Sequence, residues 1–255
     1  MYKKLIVNRY GVKLMSMSKM NVKSGKIRKK ALGTSSTEEK DERYYYNQRR
    51  KLMEAYNLIT INFKENYSCF VTLTFADVEI SVEEASKTFE RFINNLRKTY
   101  DNFKYVATAE FQDRGVIHYH FVCNITDEID ASNSISYYWN HGIIDVRNVY
   151  NIQGLAIYMT KKFTDQARSS NPLFGKRCYR TSQHLTKALV INSWKMLPED
   201  FETIKNIITA GNAKKRAFIN NVRAGKIEYA TYKLDLDSNT IFGNYTLAKR
   251  KKHLF

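Results

Sequence analysis

Glu110-Phe111-Gln112-Asp113-Arg114-Gly115-Val116-Ile117-His118-Tyr119-His120 constrains this chain more than any other stretch. It reads as a β-hairpin, with Gln112 to Gly115 as the reversal and Asp and Gly as the turn formers. Successive side chains of a strand point to opposite faces, so His118 and His120 share one face and Tyr119 takes the other. An antiparallel return brings Glu110 back beside the histidine pair. Two imidazoles and a carboxylate on one patch make a divalent-metal site with open positions. Paired histidines on a strand are commonly just packed residues. Here the chain has only 5 histidines, two share a strand face, and a carboxylate lies across the turn.

The neighbouring segments agree with this hairpin. Phe70 to Phe75 is a strand with Val71, Leu73 and Phe75 on one face and Thr72 and Thr74 on the other. Phe103 to Glu110 places Tyr105, Ala107, Ala109 and Phe111 opposite Val106, Thr108 and Glu110. Val116 to Asn124 places Ile117, Tyr119, Phe121 and Cys123 opposite His118, His120 and Val122. Each strand thus has an apolar face suited to a layer of helices, and a mixed face forming an accessible palm. The class expected is α+β.

Helices are predicted from Thr37 to about Ile61, from Val82 (capped by Ser81) to about Tyr100, within 127–141, and from Ile152 (capped by Asn151) to about Asp165. In the last, Ile152, Leu155, Ala156, Met159 and Phe163 form one stripe, and Tyr158 lies about 120° from its centre. Ile143 to Arg147 is a fourth strand, and 176–183 reads as a basic edge strand. Pro198 to Gly225 reads as one or two helices, and Ile227 to Tyr232 as a last strand. The organisation expected is a flexible basic arm (1–36), a helix (37–66), a central domain (67–190), and a mainly helical C-terminal extension with a basic tail (191–255).

A formal net charge of +17 points to a polyanionic partner, most commonly nucleic acid. The arm alone holds ten Lys or Arg and no Asp or Glu. The three cysteines form no CxxC, which argues against a zinc knuckle or a disulfide framework and for a reducing cytoplasm. No apolar run approaches the roughly 18 residues of a membrane span. There is no Walker A loop, and so no ATPase or helicase motif.

Phe70-Val71-Thr72-Leu73-Thr74-Phe75, His118-Tyr119-His120 and Tyr158-Met159-Thr160-Lys161 resemble, in order and spacing, the three motifs of HUH endonucleases, above all rolling-circle replication initiators (Rep proteins) of plasmids, phages and related mobile elements. The resemblance spans about residues 67 to 190. It implies an RRM-like antiparallel sheet backed by helices. It also implies nicking of single-stranded origin DNA in the cytoplasm of a bacterial host, and later strand rejoining. Glu110, His118 and His120 would hold Mg²⁺ or Mn²⁺, and Tyr158 would form a 5′-phosphotyrosine and free a 3′-OH for host polymerase and helicase. A free phenol titrates near pH ~10, so such a nucleophile needs help, for which Lys161 and Lys162 stand close in sequence.

Position four after Tyr158 is Lys162, so a two-tyrosine relay is not expected. A single-tyrosine enzyme needs a second subunit, as in a homo-oligomer, or another route to terminate. Arg114, Arg147, Lys176, Arg177 and Arg180 are the candidate DNA contacts. The alternatives are an HUH-type transposase and a non-catalytic RRM-like nucleic-acid-binding protein.

Overall fold

The computed structural model describes residues 2–8, 10–17, 37–111, 115–165, 179–221 and 225–234. Their elements are, in chain order, β1 (Tyr2–Asn8), β2 (Gly11–Met17), α1 (Thr37–Asn62), β3 (Cys69–Thr74), α2 (Val82–Thr99), β4 (Tyr105–Phe111), β5 (Ile117–Cys123), α3 (Glu128–Tyr138), β6 (Ile144–Asn148), α4 (Ile152–Asp165), β7 (Tyr179–Thr181), β8 (Leu189–Asn192), α5 (Pro198–Ile208), β9 (Thr209–Asn221) and β10 (Gly225–Leu234). The class is α+β, with two five-stranded antiparallel sheets. The chain divides into two units, residues 34–187 and residues 1–33 with 188–255. Among the described residues no helix is long and apolar enough to cross a membrane.

The central unit carries the sheet β6-β3-β5-β4-β7. The β4–β5 pair is the hairpin read from sequence, with Glu110 opposite His118 and Thr108 opposite His120. The three apolar strand faces merge into one core with Phe89, Phe92, Ile93 and Leu96 of α2 and Ala131 and Ile135 of α3. The Phe89 and Tyr119 rings stack with centroids 4.2 Å apart. Burying each such ring is worth about 1.5–3 kcal/mol. Helix α2 starts where Ser81 accepts from the Glu84 amide at 3.2 Å and the Glu84 carboxylate reaches back to the Ser81 amide. This reciprocal cap satisfies two amides that the first turn leaves unpaired.

The mixed face differs from the open palm expected. Helix α1 packs on α4 and touches β4, and Tyr158 of α4 lies against β3 and β5. Val106, Thr108 and Val122 on this face are buried. The reason is visible in composition: Val106 and Val122 interrupt the polar row, so part of the face needs cover. The sheet is helix-covered on both sides, and the histidines are 5% and 6% exposed.

The other unit overturns two expectations. Among the described residues the arm holds a hairpin, β1–β2, and the chain from Leu189 on contributes three strands and one helix of eight or more residues. Together they form the sheet β8-β1-β2-β10-β9. Leu5, Val7, Val12 and Leu14 are buried with Leu189, Ile191, Phe201, Ile208 and Ala230. Helix α5 covers this face, and Lys3 pairs with its Glu202, which also binds Lys205 at 2.7 Å. Hydrogen bonds from Lys205 and then Lys3 hold the Glu202 carboxyl below the usual range.

The physical reason for the missed strands is the distance between partners in sequence. Leu5 faces Ile191 across β1–β8, and Met15 faces Tyr229 across β2–β10. Neither hairpin strand can be recognised as half-buried until those remote strands are laid beside it. Strand β9 is rich in Ala, Asn and Lys, a composition with weak strand preference that pairing with β10 overrides. The rest of the arm, residues 18–36, and the basic tail lie outside the described residues.

Candidate functional site

Register assembles the site. On β3, Thr72 stands opposite His120 and Thr74 opposite His118, while β4 supplies Thr108 and Glu110 on the other flank. Directly opposite residues point to the same face, so three threonines, two histidines and one carboxylate share one surface of three adjacent strands.

Each imidazole is fixed through Nδ1. Thr74 Oγ1 lies 2.9 Å from His118 Nδ1, and Thr72 Oγ1 lies 3.1 Å from His120 Nδ1. When Nδ1–H donates to the hydroxyl, the lone pair sits on Nε2, the tautomer a metal ligand requires. Glu110 Oε2 lies 3.1 Å from His120 Nε2. Burial first, and then the charge of His120, push the His118 imidazole below its ordinary value, with Glu110 acting in the opposite direction. His118 is therefore neutral near pH 7, the form that ligates.

The tyrosine reaches the same place from α4. Asn151 Oδ1 accepts from the Gly154 amide at 2.8 Å, and the Ile152 amide donates to Glu65 Oε1 at 3.2 Å, so the helix start is pinned. Ile152, Ala156 and Met159 are buried along its inner stripe. Tyr158 sits on the flank, 44% exposed, with its ring edge-on to His120 at 5.9 Å and to Phe70 at 6.0 Å between centroids. Phe70 in turn stacks on His120 at 5.9 Å. A partly exposed phenol thus stands beside a buried histidine pair.

Among the described residues no three His, Cys, Asp or Glu side chains stand together as a ready metal cage. The donor types nonetheless suit a divalent ion, since neutral imidazole nitrogens and a carboxylate oxygen form a mixed set with room for further ligands. Glu110 and His120 here hold each other, and a cation would replace that hydrogen bond.

The candidate cations divide. Arg147 lies opposite Phe70 in the β3–β6 pair, so it shares the site's face; its Nε is 2.9 Å from Asp145 Oδ2. Arg180 does not share it. It pairs with Ala107, on the α2-covered face, and binds Glu90 at 2.6 Å and Ser86 of α2. It ties β7 to α2, a correction that follows from the alternation of an edge strand. Lys161 is exposed on α4. Arg114, Lys176, Arg177 and the Lys162 side chain lie outside the described residues.

Sequence reasoning left two roles unread. Thr72 and Thr74 anchor the imidazoles, and Phe70 packs between histidine and tyrosine. The strand period put the two threonines on the right face; only the β3–β5 register shows which ring each one meets.

Residues 68–167 match the family model of the replication-associated protein ORF2. That span runs from the start of β3 to the end of α4 and contains Glu110, His118, His120 and Tyr158. Neither a curated protein nor a solved structure matches the chain.

Proposed function

We propose that this chain is a rolling-circle replication initiator of the HUH type, cutting single-stranded origin DNA through Tyr158. The observation that carries the reading is the packing of the Tyr158 ring on His120, whose neighbour His118 and cross-strand partner Glu110 share its face. The family match supports replication as the setting.

In this reading Tyr158 Oη attacks the scissile phosphorus. An Oη–P bond forms, the bond from phosphorus to the 3′ oxygen breaks, and the phenolic proton leaves to base or solvent. The departing oxygen takes a proton and becomes a 3′-OH primer for host polymerase, with host helicase opening the duplex ahead. Attack of a 3′-OH on the phosphotyrosine reverses the chemistry and rejoins strands. Lys161, one helical turn beyond Tyr158, meets the phosphate or favours the phenolate, with Lys162 able to share the task. Arg147, on the same face, offers a further phosphate contact.

Glu110, His118 and His120 would hold Mg²⁺ or Mn²⁺, which when bound neutralises charge on a phosphate oxygen. The threonine hydroxyls at Nδ1 orient both rings, and a cation at Nε2 of His120 would take the place of the proton shared with Glu110. Burial beside Phe70 holds the His120 ring against Tyr158.

Covalent capture tests this. Full-length protein is incubated with Mn²⁺ and labelled single strands from its encoding element, then resolved on a denaturing gel. A protein–DNA adduct that disappears with EDTA and in Tyr158→Phe is expected. Cleavage with no adduct in the native protein would assign the attack to water and remove Tyr158 from the mechanism.

A further inference from the structure

The sheet β8-β1-β2-β10-β9 has one face under α5 and a second face opposite it. Strand alternation sorts the residues between them. Leu5, Val7, Val12, Leu14 and Ala230 pack with Phe201 and Ile208 of α5, and Lys3 pairs with Glu202 of that helix. Lys4 and Ile6 therefore leave by the other side. Cross-strand register extends that side into rows: Lys4, Met15 and Tyr229 stand in one, and Ile6, Lys13, Thr231 and Lys215 in the next. All seven are half-buried or exposed. Ile227, beside Met17 in the row beyond, is buried and bounds the patch.

The charge of this face has one sign. Strands β1, β2, β8 and β9 carry no Asp or Glu. Strand β10 carries one, Glu228, which stands opposite Ser16 and Phe218 and alternates with Tyr229 onto the α5 side. Lys4, Lys13 and Lys215 thus share a surface to which its own strands bring no carboxylate. A polyanion complements such a surface.

Aromatic rings are interleaved with the lysines. Lys13 Nζ lies over the Tyr229 ring, 4.5 Å from its centroid. Tyr2, on the same face by alternation, meets Trp194 edge-to-face with centroids 6.4 Å apart, and Trp194 stays 39% exposed. The Lys3 amide donates to the Ser193 hydroxyl at 2.9 Å, which fixes the short turn bearing the indole against β1. Rings and cations together are what an unpaired strand needs, since its bases stack on rings while its phosphates meet cations. A duplex keeps its base faces stacked on one another, and its major groove admits one helix or two strands, not a sheet of five.

We propose that the face of this sheet turned away from α5 is a platform for single-stranded DNA, with Trp194 and Tyr229 stacking bases and Lys4, Lys13 and Lys215 meeting phosphates. DNA as the polyanion rests on the replication-initiator reading above. The platform adds a hold on the strand that is separate from the cutting residues.

The test is a fluorescence titration of the full-length protein with oligothymidylate in EDTA across a salt series, beside a duplex of equal length. The chain has 2 tryptophans, and the other, Trp139, is 3% exposed in the core of the histidine-bearing unit. Quenching by stacked bases therefore reports on Trp194. The single strand should quench strongly and the duplex little. Trp194→Ala should weaken single-strand binding, read by anisotropy of a labelled strand, about tenfold. Trp194→Tyr keeps a ring and should restore most of that affinity without the quenching signal. Lys4→Gln/Lys13→Gln/Lys215→Gln should weaken binding at least tenfold and flatten the log–log salt dependence by about 0.7 for each phosphate no longer neutralised. Lys4→Arg/Lys13→Arg/Lys215→Arg keeps the charge and should bind as the native protein does, which separates removal of charge from damage to the fold.

No quenching of the native protein by the single strand, equal quenching by the duplex, or unchanged affinity and slope in the Gln variant would each overturn the proposal. EDTA and a strand without origin sequence keep cleavage out of the readout, so the platform stands or falls independently of Tyr158 chemistry.

Discussion

The two sheets have the same strand count and the same antiparallel pairing, yet they use their faces in opposite ways. The sheet of β3–β7 is covered by helices on both sides, and its polar residues are enclosed there: His118 and His120 sit among threonines and aromatic rings. The sheet of β1, β2 and β8–β10 has α5 over one face and ends in the long edge strand β9, whose cations Lys214, Lys215 and Arg216 are exposed. Enclosure fixes ring tautomers and lowers the local dielectric, which suits chemistry. Exposure leaves charges free to meet phosphates from several directions, which suits gripping. Strand topology alone does not assign a role; what lies over each face does.

The strongest way to break this comparison is to unfold one sheet without the other. Phe89→Ala removes a ring that is 1% exposed in the core of the histidine-bearing unit, and Phe201→Ala does the same in the core of the unit built from both chain ends. Each should cost about 3–5 kcal/mol. The readout is thiol chemistry. Burial pushes the Cys69 thiol up to about 11 and the Cys123 thiol up to about 12, so neither reacts appreciably near pH 8 while folded. In a Cys178→Ser background, Phe89→Ala should speed alkylation of Cys69 and Cys123, and Phe201→Ala should leave them protected. Equal deprotection by both variants would show that the units unfold as one.

A sharper test stays inside the enclosed face. Thr72→Val and Thr74→Val keep shape and strand preference but remove the Nδ1 partners of His120 and His118. Each should lower Mn²⁺ affinity and adduct formation about 10–100-fold with little change in melting temperature. If affinity is unaffected, the tautomer argument fails, whatever the histidines do.

The smallest effect is expected in the unit built from both chain ends. Glu202 has its folded carboxyl held below the unfolded value by Lys205 and Lys3. It therefore adds stability above its unfolded value, and that contribution is lost as pH falls toward the folded one. Glu202→Gln should remove this acid-side slope, worth at most about 1 kcal/mol because the pair is partly exposed. Denaturant unfolding across pH 3 to 6, roughly the window of carboxylate titration, measures it.

Much of the enclosed unit was legible in the chain. The period-2 alternation around His118-Tyr119-His120, the Ser81 cap and the apolar stripe of α4 are local signals, because each is set by neighbours within a few residues. They put Glu110 across from the histidine pair and Tyr158 on a helix flank. Sequence could not say that α1 and α4 would cover the mixed face, since that cover depends on where remote helices dock. Nor did it signal that Arg180 would turn toward α2, because an edge strand's facing is set by its partner.

The unit built from both chain ends shows the limit most clearly. Leu5 and Val7 find their neighbours at Leu189 and Ile191, and Val12 and Leu14 pack in the core that Ala230 completes. Local composition by itself read as a basic arm and a helical tail. Sequence alone determined the histidine pair, its carboxylate, the tyrosine helix and the excess of positive charge. Tertiary structure decided which face was enclosed, which ring each threonine holds, and that the two ends of the chain make one sheet. The physical reason is that hydrophobic burial rewards contacts without regard to sequence separation, whereas the patterns readable in a chain extend only a few residues.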